Sequence, residues 1–391
     1  TLRNGELHIH EPGLRTLVSA ALGSGNLTIS DTPEAADAFI IAVPTPFDED
    51  KHADLNAVKD AARAIVPHLR PGNLVVLEST SPPRTTRDVL APILEESGLT
   101  AGTDFLLAYS PERVLPGKIL QELIGNARVV GGIDQASTEA GLKLYQTFVR
   151  GEIVLSDATT AEMVQLMENT YRDVNIAIAH EFARLGERFK IDIWEAIEIA
   201  NRHPRVAILQ PGPGVGGHCI GVDPWFLVEA APDISQLIKA ARQVNDSQPR
   251  RVVDLVIDAL VAPNSLATKK IAILGLSYKA NVDDLRASPA IEIAQLLVVA
   301  GAQVTAYEPY KLDAVIPRVQ ITRSIAEAVV DAEILLLLVK HKEFVELEPD
   351  KLVGQTPARI VVDAVHCWST HSWIAAGFKI YTLGVGDRNA N

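Results

Sequence analysis

Pro211-Gly212-Pro213-Gly214-Val215-Gly216-Gly217-His218-Cys219-Ile220-Gly221-Val222-Asp223-Pro224-Trp225 is the stretch on which the reading of this chain turns. Residues 212–217 match the dinucleotide pattern G-x-G-x-x-G letter for letter. That pattern works only where a strand enters it and a helix opens through it, so that amides at the helix start meet a pyrophosphate. Here prolines flank the loop and a helical pattern precedes it, so the dinucleotide reading is rejected. Glycines at this density let a backbone take positive φ and approach a ligand closely. A loop that gives up so much chain entropy usually holds something in place. Cys219, one of two cysteines, stands at its end, with Asp223 four residues on. Cys219 is read either as a nucleophile or as a small buried apolar residue. Adjacent His218 and Cys219 have no second pair at ligand spacing, so no metal is expected.

Upstream of the loop, strands alternate with helices. Apolar runs at 38–43 and 74–77 end in Pro44-Thr45-Pro46 and Ser79-Thr80, and a third at 105–109 ends in Ser110-Pro111-Glu112. Helical periodicity covers 55–69 and 86–96, and 128–132 reads as another strand. The pattern predicts a doubly wound α/β domain over 1–155, whose ligand sits at the carboxyl ends of its strands. Residues 160–189 form a long helical pattern on which Gln165 and Asn169, four apart, share a face. Further helices are expected over 194–202, 234–245 and 251–260, with no strand, giving a helical middle domain over 156–262 and a natural dimerisation surface. After the linker Pro263-Asn264-Ser265, strands at 270–274, 304–307, 334–339 and 359–364 predict a second α/β domain over 263–391. The fold class is therefore α/β, two Rossmann-like doubly wound domains joined by a helical one.

A net charge of -13 argues against nucleic acid or an anionic membrane as the main partner. No apolar run approaches the roughly 18 residues of a membrane span. Two cysteines cannot build a disulfide framework, which favours a reducing cytoplasm. Glu112, Asn169 and Asp223 are candidates for acid–base and orienting roles. Lys279, Arg286 and Arg205 are candidate anion contacts. Each of the six, taken alone, also reads as a cap or a solvated charge. His10, His203 and His366 carry no readable role.

Taken together, Ala42-Val43-Pro44-Thr45-Pro46-Phe47, Glu78-Ser79-Thr80-Ser81-Pro82, Ser110-Pro111-Glu112-Arg113 and Glu168-Asn169-Thr170-Tyr171-Arg172-Asp173 resemble the UDP-glucose/GDP-mannose dehydrogenase family. So do 200–206, the glycine loop through Phe226, and 279–289. The resemblance implies a two-step oxidation of a sugar C6 alcohol to a carboxylate with two NAD. Cys219 would carry a thiohemiacetal and then a thioester. Asn169 and Asp223 would position water and the C6 oxygen, Glu112 would be the base of hydrolysis, and Thr80 would hold the water network. Lys279, Arg286, Gly216, Gly217 and His218 would bind the UDP-sugar, with Arg205 reaching from a partner subunit of a homodimer. Pro44, Thr45, Thr80 and Glu112 would face NAD, making 1–155 the NAD-binding and 263–391 the UDP-sugar-binding domain. His203-Pro204-Arg205 and Pro224-Trp225 favour an N-acetylmannosamine sugar over glucose or GDP-mannose.

Three departures stand against that pattern. The family opens with a strand, a G-x-G-x-x-G turn and a helix, and this chain, starting at Thr1, is expected to lack that βαβ unit and to bind NAD poorly. The family's active-site lysine is Gln165, which donates hydrogen bonds but supplies no cation. A basic residue near the last strand is Val365. The alternative to an active enzyme is thus a catalytically impaired UDP-sugar-binding paralogue or fragment.

Overall fold

Leu74–Leu77 and Ile334–Leu337 are each four consecutive apolar residues, buried at every position. Strands of this kind need cover on both faces, which a parallel sheet flanked by helices provides. The computed structural model describes residues 7, 11–48, 50–114, 117–260 and 266–386. The linker 263–265 and nearly all of 1–10 lie outside the described residues. The chain divides into two compact units, Thr1–Asn169 with Trp225–Ser235, and Thr170–Pro224 with Gln236–Asn391.

In the first unit, β1 (Ala38–Ile41), β2 (Leu74–Leu77), β3 (Leu106–Tyr109), β4 (Arg128–Gly132) and β5 (Ile153–Asp157) lie in that order in one sheet. All neighbours are parallel except β3 and β4, which run antiparallel, a reversal the strand pattern alone did not predict. The helix α1 (Asn56–Ile65) buries Val58, Ala62 and Ile65, spaced to face the sheet. It stops before the predicted end at 69, giving way to a tighter turn at the proline of Val66–His68. The helix α2 (Gln135–Tyr145) is capped by Asp134, whose side chain accepts from Ser137 N–H at 2.7 Å. Strand β5 went unpredicted because Ser156 and Asp157 break its apolar run.

The long predicted helix is α3 (Ala158–Phe189). In the second unit α4 (Ile193–Ala200) is capped by Asp192. A helix α5 (Asp223–Ala230), which from Trp225 onward belongs to the first unit, opens where the sequence reading continued the glycine loop, because Asp223 and Pro224 are both good first-turn residues. Next come α6 (Gln236–Asp246) and α7 (Gln248–Asp258), broken near Pro249 as expected. The second sheet is wholly parallel, in the order β11 (Lys379–Thr382), β10 (Ile360–Asp363), β9 (Ile334–Leu337), β6 (Lys270–Leu274), β7 (Gln303–Tyr307), β8 (Val319–Thr322). The order reverses between β6 and β9, which is the switch point of a doubly wound sheet. Ser288 and Pro289 start α8 (Pro289–Val299), whose Ala290, Ile293, Ala294 and Leu297 are buried in the core beneath that sheet.

Candidate functional site

In the first unit, the carboxyl ends of β1, β2 and β3 are tied together. Ser79 Oγ accepts the Val43 amide at 2.8 Å, and Thr45 Oγ1 donates to Thr80 O at 2.6 Å. Ala42 and Pro44 are exposed on that edge, while Thr45, Thr80 and Glu112 are half-buried. Gln165, 5% exposed, stands among these tips. Its Oε1 accepts from the Tyr109 hydroxyl at 2.7 Å, and its Nε2 donates to Thr80 Oγ1 at 2.9 Å and towards Glu112 O at 3.5 Å. The structure therefore brings Thr80, Glu112 and Gln165 together. Asn169 lies one turn further along α3 and is half-buried.

Sequence reasoning missed the group behind Glu112. Arg128, buried at the start of β4, donates from Nη1 to Glu112 Oε2 at 3.1 Å, from Nε to Ser110 Oγ at 2.8 Å and from Nη2 to Glu78. Its guanidinium lies over the Tyr145 ring, 4.0 Å from the centroid, and the Tyr145 hydroxyl also donates to Glu78. Burial pushes Glu78 above the usual carboxylate range, against the pull of Tyr145 and Arg128. A single arginine at a strand start looks like a solvated boundary residue, so only the fold shows that it is shared by two carboxylates.

In the second unit, the glycine loop departs from one expectation. A Cβ on Gly216 would come within 2.7 Å of Pro289 Cδ and 2.8 Å of both Ala287 O and Tyr278 Cβ. At Gly217, φ is +84°, and a Cβ would meet the Tyr278 ring at 3.0 Å. These glycines admit neighbouring protein, whatever else they admit. No strand enters the loop and no helix opens through 212–217, in keeping with rejection of the dinucleotide reading. Gln248 Nε2 holds Gly212 O at 3.0 Å.

Cys219 is exposed, so it is not the small buried apolar residue of the alternative reading. Its carbonyl accepts the amides of Val222 and Asp223 at 3.0 and 2.9 Å, forming the turn that leads into α5. The protein crowding its sulfur nonetheless pushes the thiol up to about 11, and Asp223 adds to that against Arg172 and Arg286. Asp223 is 1% exposed, so its charge acts through little solvent. His218 is exposed at its surface and held below the usual imidazole range, first by partial burial and then by Arg286. Arg286 pairs with Asp284 through two bonds of 2.8 and 2.7 Å. That pairing outweighs burial and keeps Asp284 below the usual carboxylate range. Tyr278 and Asp284 are further members of this cluster that the sequence reading passed over. Lys279 and Arg205 are exposed. The segment carrying Arg205 is closed by Asn201, whose Nδ2 donates to Ile208 O at 2.9 Å and whose Oδ1 accepts the Ile208 amide at 2.7 Å.

Three descriptions of one family match the chain in order. They are the UDP-glucose/GDP-mannose dehydrogenase family's NAD binding domain over residues 1–149, its central domain over 159–247 and its UDP binding domain over 272–370. The UDP-N-acetyl-D-mannosamine dehydrogenase of Methanocaldococcus jannaschii is 45% identical over 96% of this chain and 86% of its own length. The NDP-N-acetyl-D-galactosaminuronic acid dehydrogenase of Ralstonia solanacearum is 46% identical over 94% of this chain and 88% of its own. Among solved structures, the UDP-D-ManNAc dehydrogenase of Pyrococcus horikoshii matches with a TM-score of 0.91 at 37% identity, covering 99% of this chain and 91% of that one.

Proposed function

Because the chain belongs to the UDP-glucose/GDP-mannose dehydrogenase family, we propose that it oxidises the C6 alcohol of UDP-N-acetyl-D-mannosamine to the carboxylate. It is an NAD-dependent oxidoreductase with the family's NAD binding and UDP binding domains. The observation that carries the reading is an exposed cysteine on a glycine loop fixed against Tyr278 and Pro289, in a chain similar over nearly its whole length to enzymes of that name.

The carboxyl ends of β1, β2 and β3, with exposed Pro44 and half-buried Thr45, Thr80 and Glu112, would receive a dinucleotide. Bound there, NAD would supply the hydride acceptor for each of two oxidations. In the first, the C6 alcohol loses a proton and a hydride and becomes an aldehyde. Cys219 sulfur then adds to that carbonyl, forming a C–S bond while the thiol proton passes to the oxygen, and the thiohemiacetal loses that proton and a second hydride to give a thioester. Water hydrolyses it, releasing the carboxylate and the free thiol. Asn169 and Asp223 orient the C6 oxygen and the water, Glu112 takes the water's proton, and Thr80 and Gln165 hold the network around it. Lys279, Arg286, Gly216, Gly217 and His218 receive the sugar nucleotide, and Arg205 does so from a partner subunit.

The division into NAD-binding residues 1–155, a middle domain 156–262 and a UDP-sugar domain 263–391 is part of the proposal. So is a homodimer. Tyr171, Ile178 and Leu185 are exposed on α3 at seven-residue spacing, with exposed Phe189 four further on, the pattern of a seam for a second copy. No helix among the described residues is long and apolar enough to cross a membrane. Cytoplasmic synthesis of a surface-polysaccharide precursor is the setting this chemistry suits.

A second reading rests on Gln165, whose amide is already engaged by Thr80 and Tyr109 and adds no cation to an oxyanion. It describes a catalytically impaired protein that still binds UDP-sugar. Incubation with NAD and UDP-N-acetylmannosamine, beside UDP-glucose and the galactosamine analogue, decides between them. Two NADH per sugar, lost on Cys219→Ala, support the enzyme. UDP-sugar binding without NADH formation supports the second.

A further inference from the structure

Two residues before Lys279 and two residues after it, the chain touches the same imidazole. Ser277 Oγ lies 3.2 Å from His341 Nε2, and the Asn281 amide donates to His341 Nδ1 at 2.9 Å. His341 and Glu308 are both 0% exposed. A backbone N–H only donates, so Nδ1 carries a lone pair and the neutral ring holds its proton on Nε2. Glu308 Oε2 accepts there at 3.0 Å and also takes the Leu276 and Ser277 amides at 2.8 and 3.0 Å. Ser277 Oγ in turn donates to Lys279 O at 2.7 Å. Asn281 sits at φ +63°, a left-handed position that asparagine tolerates better than most side chains. Its Oδ1 accepts the Lys342 amide at 3.0 Å. The arrangement stands at the carboxyl ends of β6, β7 and β9, where the strand order reverses and doubly wound sheets bind their ligands.

We propose that His341 is a positioning residue of the sugar-nucleotide site. By gripping Ser277 and Asn281 it fixes the five-residue segment carrying Lys279, so that the exposed ammonium meets the diphosphate of UDP from a rigid base. The idea rests on the reading of Lys279 as a sugar-nucleotide contact. A lysine on a mobile loop loses more freedom when it binds than one on a fixed loop, and the difference appears as affinity.

The two arms of the imidazole separate by substitution. In His341→Asn, Oδ1 stands near the place of Nδ1 and keeps the Asn281 bond. In His341→Gln, Nε2 keeps the bond to Glu308 and the acceptor for Asn281 is lost. Titration of the full chain with UDP by calorimetry reads the result. His341→Gln is expected to weaken UDP about tenfold, the worth of one lost hydrogen bond, whereas His341→Asn stays within about threefold. Lys279→Ala weakens UDP by itself, and adding His341→Gln to it changes nothing more. Equal loss in both His341 variants, no loss in His341→Gln, or further loss on top of Lys279→Ala each overturns the proposal. Unchanged affinity in Lys279→Ala alone overturns instead the reading of Lys279, and it is measured without touching His341. Should the variants fail to fold, hydrogen exchange at the Asn281 amide of the unaltered protein still decides. Protection without UDP supports the proposal, and rapid exchange that slows only with UDP overturns it.

Discussion

The side-chain amide of Gln165 donates to the Thr80 hydroxyl at 2.9 Å, and Tyr109 fixes its orientation from the other end. A lysine in its place would offer a cation near Thr80 and Glu112, where the proposed chemistry develops negative charge. Gln165→Lys is expected to raise kcat by roughly tenfold or more with little change in KM, since one such donor is worth about 100-fold or more elsewhere. It should also lower the melting temperature, because an ammonium replaces an amide at a site only 5% exposed. A kcat that stays level or falls would show that the amide suffices.

The Cys219 thiol, pushed up to about 11 by its surroundings, is neutral at physiological pH in the free protein. Iodoacetamide labelling at Cys219 is therefore expected to be slow at pH 7 and to climb steadily through pH 9 and 10, towards half-maximum near 11. Peptide mapping separates it from Cys367, which burial pushes to a similar value. A labelling rate that already levels off below pH 9 would contradict the electrostatics described for the loop.

Gly216 and Gly212 lie in one loop and should respond differently. Gly216→Ala drives a Cβ into Pro289, Ala287 and Tyr278, and is expected to cost about 1–3 kcal/mol. Gly212→Ala meets nothing within 4 Å and should change stability by less than about 0.5 kcal/mol. Chemical denaturation of the two variants measures both.

His180 is 1% exposed, its Nδ1 lying 2.9 Å from Asn245 Oδ1, and burial lowers its pKa to about 4 from 6.5. The unfolded chain takes up a proton below about 6.5 that the folded chain refuses until about 4, so stability falls as pH drops through this window. The loss is about 3 kcal/mol on reaching pH 4. His180→Asn should flatten that part of the stability–pH curve. An unchanged slope would mean that other groups set it.

Leu185→Glu places a charge in the exposed apolar row of α3. Sedimentation is expected to show the proposed dimer shifting to monomer, with the secondary structure kept.

Much of this was legible in the chain because some residues carry their reason locally. The apolar runs at 74–77 and 334–337 read as buried strands, and the prolines around 212–217 excluded a dinucleotide turn despite matching letters. Cys219 and Glu112 were nameable from the residues themselves, whereas the roles of Thr80 and Gln165 came with the family resemblance. Arg128, Tyr109 and His341 were not, since each acts through partners 16 to 64 positions away. The antiparallel turn of β4 was hidden likewise, because strand direction leaves no mark on four or five residues. The crowding of Gly216 is a property of Tyr278 and Pro289, far along the sequence.

The paired bonds between Asn201 and Ile208 make the exposed segment carrying Arg205 a closed ring, not a dangling loop. Closing a loop costs entropy once, when the protein folds. An arginine on such a ring reaches an incoming anion with its backbone already ordered, and only its side chain remains to be stilled. Opening the ring with Asn201→Ala would leave the charge in place and still weaken the anion contact proposed for Arg205.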